Sequence, residues 1–546
     1  MDAKRMTLFF AVSALILFGW EWFFPAPRPV QNPAAQSAQQ AAAPAAAQAV
    51  LNPTVPLTVS TDTVAAVIDE TSGDLRGLTL LKYNSADDES KPFSLFENGK
   101  DGIYIAQSDL IDETGRSLTQ GLSFKSAKKQ YGLENGKAEV RLTATTAYGL
   151  EIAKTYTFTQ GSYLINVRFD VANRSGKPLK AAAAYRVVRD SKTPAGQGYF
   201  MSSYTGPVLY TPEGNFQKVS FSDLDDDFQK GRDQAEYERQ TQSGWIGMSQ
   251  HYFFSAWILQ PKEGQSICAA SGCRIDIKRR EGGLYTAGVS AAEPDLPAGA
   301  TRSYAANLYA GPQTTAALGK IADHLELVKD YGRVHWPATA LFWLMDKLHG
   351  ITGNWGWAIV LLTVIVKIIL YPLNNAAYKS MAKMRAVAPK LEALKKQYGD
   401  DRMAMQQAMM QMYKSEKINP LGGCLPMLLQ IPIFIGLYWA IFSSVELRQA
   451  PWLGWITDLS RHDPWFILPV LMTATMMFQT TLNPPPSDPM QAKMMKIMPL
   501  VFSVMFFLFP AGLVLYYVVN NILTIAQQMH VNRATERARQ NGEVVS

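Results

Sequence analysis

Hydrophobic and polar positions follow three different rhythms along the chain. The first is a nearly unbroken apolar run from Leu8 to Phe24, preceded by Lys4 and Arg5. A basic flank before an apolar stretch is either a cleavable signal peptide or a retained anchor. Trp20, Glu21, Trp22, Phe23 and Phe24 occupy the place where a signal peptidase needs small residues, although the Ala-rich tract beyond contains cleavage-like triplets. Paired Trp at that depth fits an interfacial belt, so the pattern predicts an anchor over 1–24. Residues 25–56 are Pro, Ala and Gln with almost no charge or large apolar side chain. Such a segment cannot bury enough surface to offset its ordering entropy, which predicts a flexible linker.

The second rhythm has a period of two and spans 57–320. Ile165, Val167, Phe169 and Val171 alternate with Asn166, Arg168 and Asp170, and Asn173-Arg-Ser-Gly176 supplies a turn. Tyr156 and Phe158 alternate with Thr155, Thr157 and Thr159. Alternation between Gly/Asn/Asp turns predicts antiparallel strands with one buried face, here a large β-sandwich. Cys268 and Cys273 flank Ala-Ala-Ser-Gly, a spacing that permits a disulfide across a strand–loop–strand; two unlinked small residues are the alternative. The stretch has one histidine, His251, and no metal-ligand spacing or nucleophile elbow, so no enzymatic chemistry or cofactor is expected of it.

The third rhythm is helical. In the region 321–353, Leu341, Leu344, Met345 and Leu348 share a face opposite Asp346 and Lys347, which predicts an amphipathic helix lying along a membrane interface. Five spanning segments follow within 354–530, at 355–371, 421–442, 465–482, 497–509 and 512–529. With the anchor they make six transmembrane helices. The loop 376–418 holds nine Lys/Arg against four Asp/Glu, whereas 444–463 holds two Arg and three acids. Positive charge marks the cytoplasmic side, so the pattern puts both termini and the loop there and the β-domain outside. Within the loop, Met381, Met384, Ala388, Leu391 and Tyr398 recur near heptad spacing and Gly399-Asp400-Asp401 breaks the run. That predicts a helical hairpin with a basic face, suited to a ribosome or targeting receptor or serving only to set topology. Residues 531–546 form a short basic tail.

One residue breaks the apolar pattern. Lys367 lies inside the second span, where a charge costs about 2.5–3.5 kcal/mol on insertion scales and marks function by default. Snorkelling to the nearby interface is the alternative. Helical side chains lean toward their own N-terminus, which for this helix points into the membrane and favours a functional charge. Thr363 lies one turn earlier on the same face. Gln430 in the third span, Ser503 in the fifth, and Asn520, Asn521 and Thr524 in the sixth also fall in middle or cytoplasmic halves. The outward halves carry no ionisable side chain, unlike a pore or transporter, which needs polar lining on both sides. The pattern predicts a wet recess open to the cytoplasm. Met472, Met476, Met477, Met490, Met494, Met495, Met498 and Met505 crowd the fourth and fifth spans, as adaptable contacts for varied apolar partners or as ordinary gap-filling.

Composition agrees with a divided chain. Apolar residues make 47% and charged residues 18% of the 546, yet mean hydropathy is only −0.06, so unlike parts are being averaged. Three Cys exclude a disulfide scaffold, and a dispersed net charge of +6 argues against nucleic acid as partner.

Tyr371-Pro-Leu, Ser380-Met-Ala-Lys-Met-Arg385, Asn419-Pro-Leu-Gly-Gly-Cys424, Val445-Glu-Leu-Arg-Gln-Ala-Pro451 and Phe509-Pro-Ala-Gly-Leu-Val-Leu-Tyr-Tyr517 together resemble the YidC/Oxa/Alb membrane protein insertases in their long Gram-negative form. The resemblance is dense over 335–530, and the anchor, linker and β-domain fit the family plan. It implies insertion and folding of nascent inner-membrane proteins, alone or with the Sec translocon, through a hydrophilic groove closed toward the periplasm. It also implies a supersandwich periplasmic domain similar to sugar-binding folds. Position 367 matches the family's groove cation, usually Arg, and Thr363 and Tyr517 match substrate-contacting positions. Leu508 stands where some relatives have Trp. The rival readings are a polytopic transporter or channel with an extracytoplasmic sensor domain, and a carbohydrate-binding module on a membrane anchor.

Overall fold

Strand alternation at 165–171 becomes the middle of a sheet. Leu164–Asn173 pairs antiparallel with Leu150–Thr159 on one side and Thr301–Pro312 on the other. Ile165, Val167, Phe169 and Val171 are buried while Arg168 is exposed, as a pleat with one wet face requires. The computed structural model describes residues 55–540 apart from 100–101, 195–202, 234, 261–266, 269–271, 292–294, 330, 400, 417–424 and 484–488. The anchor predicted over 1–24 and nearly all of the linker lie outside the described residues.

The chain divides into two units. One runs to Gly311 and takes in Ala317–Leu325; the other comprises Pro312–Ala316 and the chain from Glu326 onward. Among the described residues, the first unit is built on a ten-stranded and a nine-stranded sheet. The sheets meet through large side chains. Tyr185 of Ala182–Arg189 lies 4.9 Å from Trp257 of Phe253–Ile258, ring centre to ring centre, and Tyr104 of Ile103–Ile111 is hydrogen-bonded to Ser255 at 2.6 Å. Trp245, Tyr185 and Phe169 are fully enclosed. Gly247 lets the neighbouring strand approach: a Cβ there would come 1.9 Å from the Ser255 carbonyl oxygen. Cys268 and Cys273 are joined by a disulfide at the start of strand Cys273–Arg280.

The second unit is helical. Helix His335–Thr352 buries Ala338, Phe342, Met345 and Leu348 and exposes Trp336, Trp343 and Ile351, which recur at seven- and eight-residue spacing on the opposite face. Leu341 and Leu344, expected on the buried stripe, are half-buried at its edge, so the buried stripe is rotated slightly from the predicted one. Gly353 ends the helix in the left-handed conformation, donating its N–H to the His349 carbonyl, and Asn354 caps the next helix by accepting from Trp357 N.

That next helix, Trp355–Ala386, contains Pro372 and continues past it for four turns. The spanning segment read at 355–371 is thus the first part of a longer helix. Pro372 takes away the donor of the Ile368 carbonyl; beside it, Gln527 Nε2 donates to the Tyr371 carbonyl at 3.3 Å. Among the described residues this is the one helix long and apolar enough to cross a bilayer; shorter apolar helical stretches cover 430–442, 467–482 and 497–506. The predicted hairpin is assembled differently from expectation. Its first arm is the end of the long helix followed, after Val387, by Ala388–Tyr398; the second arm is Arg402–Ser415, capped by Asp401. Lys390 and Glu416 form an ion pair between the arms.

Candidate functional site

Helix Ala511–Gln540 carries the polar residues that organise the helical unit. It packs on Trp355–Ala386 and on Ile467–Leu482. Its 3.6-residue period separates the two faces. Thr524 and Gln527 turn toward the long helix: Lys367 Nζ donates to Thr524 Oγ1 at 2.6 Å, and Thr524 Oγ1 donates to the Asn520 backbone carbonyl at 2.7 Å. Asn521 and Gln528 turn toward the other neighbour. Asn521 Nδ2 donates to Thr475 Oγ1 at 3.2 Å, and Gln528 Nε2 donates to the Leu482 carbonyl and Asn483 Oδ1 at 3.2 and 3.1 Å. Asn520, Asn521, Thr524 and Gln528 are all buried.

Lys367 is half-buried; among the described residues Thr524 is its one hydrogen-bond partner and no carboxylate lies within ion-pair distance. Its flexible four-carbon stem lets the ammonium reach a hydroxyl on the neighbouring helix.

The other anticipated groove residues are placed around this pair without touching it. Thr363 is buried and its hydroxyl donates to the Ile359 carbonyl of its own helix at 2.7 Å. Gln430 Nε2 donates to the Tyr516 hydroxyl. Tyr517 instead presents its ring edge-on to Phe434 and Phe506, at 5.1 and 4.9 Å. Ser503 donates to the Pro499 carbonyl, and its hydroxyl lies 2.6 Å from that of Thr473. The site thus splits into a Lys367–Thr524 pair, with Thr524 tied to the Asn520 backbone carbonyl, and separate polar ties elsewhere. Sequence reasoning missed Gln527 and Gln528 as helix ties, although their spacing of three and four from Thr524 puts them on its flanks.

A helical unit with a buried polar spine and one long apolar helix is thus carried on the same chain as a two-sheet unit. Two family descriptions match in succession: "YidC periplasmic domain" over residues 56–344 and "60Kd inner membrane protein" over 347–539. The chain is 66% identical over 546 residues, the full length of both, to "Membrane protein insertase YidC" of Neisseria meningitidis serogroup C (strain 053442). It is likewise 66% identical, again over the full length of both chains, to the protein of that name from Neisseria gonorrhoeae (strain ATCC 700825 / FA 1090). To that of Laribacter hongkongensis (strain HLHK9) it is 50% identical over 98% of each chain. The chain belongs to the YidC family of membrane protein insertases.

Proposed function

We propose that the protein inserts inner-membrane proteins through a polar recess centred on Lys367 and open to the cytoplasm. The observation that carries this reading is the lysine's company: a cation in the apolar first half of its helix, held by a neutral hydroxyl and lacking a carboxylate among the described residues. Burying an uncompensated charge is costly, and a fold keeps one where a partner of opposite sign is to be received. A substrate's short acidic outer segment supplies that partner. The polar spine of Ala511–Gln540 lowers the cost of moving polar backbone across hydrocarbon. The substrate's apolar span then leaves into lipid past the exposed Val470, Leu471, Val501 and Val504.

Around this centre the proposal sets six spans, cytoplasmic termini and the two-sheet unit in the periplasm, following the charge bias of the loops. The exposed Trp336, Trp343 and Ile351 support an interfacial position for His335–Thr352. The hairpin within 376–418, with its basic residues, is the proposed contact for a ribosome or targeting receptor, and the Sec translocon a further partner. Lys367, Thr363, Gln430, Ser503, Tyr517 and Asn520 are the proposed groove residues, of which Tyr517 acts through its ring. Depleting the protein in cells and following newly made small single-span proteins tests the reading. Their insertion is expected to fall, leaving them accessible to extraction from membranes; unchanged insertion would contradict it.

A further inference from the structure

The chemistry of Lys367 is shaped by a residue on another helix. We propose that Thr524 is the positioning residue for Lys367, a role that rests on the reading of Lys367 as the substrate-attracting charge. A threonine hydroxyl has one proton and two lone pairs. The proton of Thr524 is committed to the Asn520 carbonyl one turn earlier, at 2.7 Å. What faces Lys367 is therefore lone pairs alone, and the ammonium donates to them at 2.6 Å. The polarity is fixed: Thr524 accepts from the cation and cannot compete for a substrate carboxylate by donating to it. Two consequences follow. The ammonium is held at one point by one of its three protons, leaving the other two for an incoming acid. The partner is also neutral, so it orients the charge without cancelling it, as an Asp or Glu at this position would.

The surroundings make the contact a built one. Thr524 is buried, as are Asn520 and Asn521 beside it. Tyr378, on the lysine's own helix, is buried as well. Gln527, one turn on, ties the same face to the Tyr371 carbonyl at 3.3 Å, fixing the two helices against each other where the lysine crosses. Thr363, the nearer hydroxyl in sequence, cannot replace Thr524 as a tether: it is buried against its own helix and bonded to Ile359.

The test compares four variants of the full-length protein in lipid vesicles: Thr524→Val, Thr524→Ser, Lys367→Ala and the double variant Thr524→Val/Lys367→Ala. Each is given a single-span substrate with an acidic outer segment and the same substrate with that segment neutralised. Valine keeps the shape and removes the acceptor, so Thr524→Val is expected to insert the acidic substrate about tenfold more slowly, the scale of one hydrogen bond to a charged group. The neutral substrate should be little changed. Thr524→Ser should recover most of the rate, and adding Thr524→Val to Lys367→Ala should cause no further loss. Equal loss on both substrates, or a full additional loss in the double variant, would mean that Thr524 serves packing only and would overturn the proposal. If Lys367→Ala itself leaves the acidic substrate unaffected, the underlying reading of the lysine fails instead. Protein levels in the vesicles, with the serine variant as control for folding, separate these results from simple misassembly.

Discussion

Lys154 and Lys367 are both withdrawn from water, and their neighbours assign them opposite work. Lys154, in strand Leu150–Thr159 of the sheet unit, is completely enclosed, donates to the Ser108 carbonyl at 2.9 Å, and has Asp74 at 4.0 Å. Its charge is compensated within the fold, whereas that of Lys367 is left for a partner. Burial is the main influence on Lys154 and lowers its pKa from 10.5 to about 8, against the opposing pull of Asp74 and Asp109. Between those values the unfolded chain binds more protons than the folded one, so stability rises with pH. Tyr104, raised by burial to about 12 from 10, works the other way: above pH 10 the unfolded chain loses its phenolic proton first and stability falls. Thermal unfolding of the full-length protein in detergent is expected to gain stability from pH 8 to about 10 relative to Lys154→Met; a parallel pH dependence of the two would contradict the assignment. Sequence alone distinguishes Lys367, because its helical run has no other charge. It cannot distinguish Lys154, whose enclosure depends on Ser108 and Asp74 arriving from other strands.

Among the elements, helix Ile467–Leu482 shows how a start is fixed from a distance. Asp463 is fully enclosed; its carboxylate accepts from Trp465 N at 3.0 Å, Leu468 N at 2.7 Å and the Trp455 indole N–H at 2.9 Å. A negative group at a helix N-terminus satisfies orphan donors and opposes the helix dipole. Asp463→Ala would leave all three donors unpaired and is expected to lower stability by about 2 kcal/mol, with Asp463→Asn costing less; thermal unfolding in detergent reads both. No change in Asp463→Ala would show that water replaces the carboxylate. The acid was legible only as one of three in an outward loop, since its role depends on Trp455 folding back. At Pro372, a residue that disfavours a helix interior, the helix nonetheless extends to Ala386. Local preference yields there to packing against Ala511–Gln540, which sequence periodicity does not reveal.

For the molecule as a whole, mean hydropathy of −0.06 averages a two-sheet unit with a helical unit whose central helix is itself half polar. Asn520, Asn521, Gln527 and Gln528 interrupt Ala511–Gln540, yet 512–529 still reads as a spanning segment, and the helix packs directly against the long apolar one. Division into unlike parts was readable from the change of period, two before about 320 and helical after 335. Helix pairing was not, because Lys367 meets Thr524 across 157 residues of sequence while the nearer candidates, Thr363 and Gln430, are committed elsewhere. In the proposed mechanism this lysine draws the acidic part of a substrate into the recess. The direct measurement is the insertion rate of a single-span protein with an acidic outer segment, using purified protein in lipid vesicles. Wild type and Lys367→Arg, which keeps the charge, should insert it several-fold faster than Lys367→Ala; equal rates for wild type and Lys367→Ala would contradict the account.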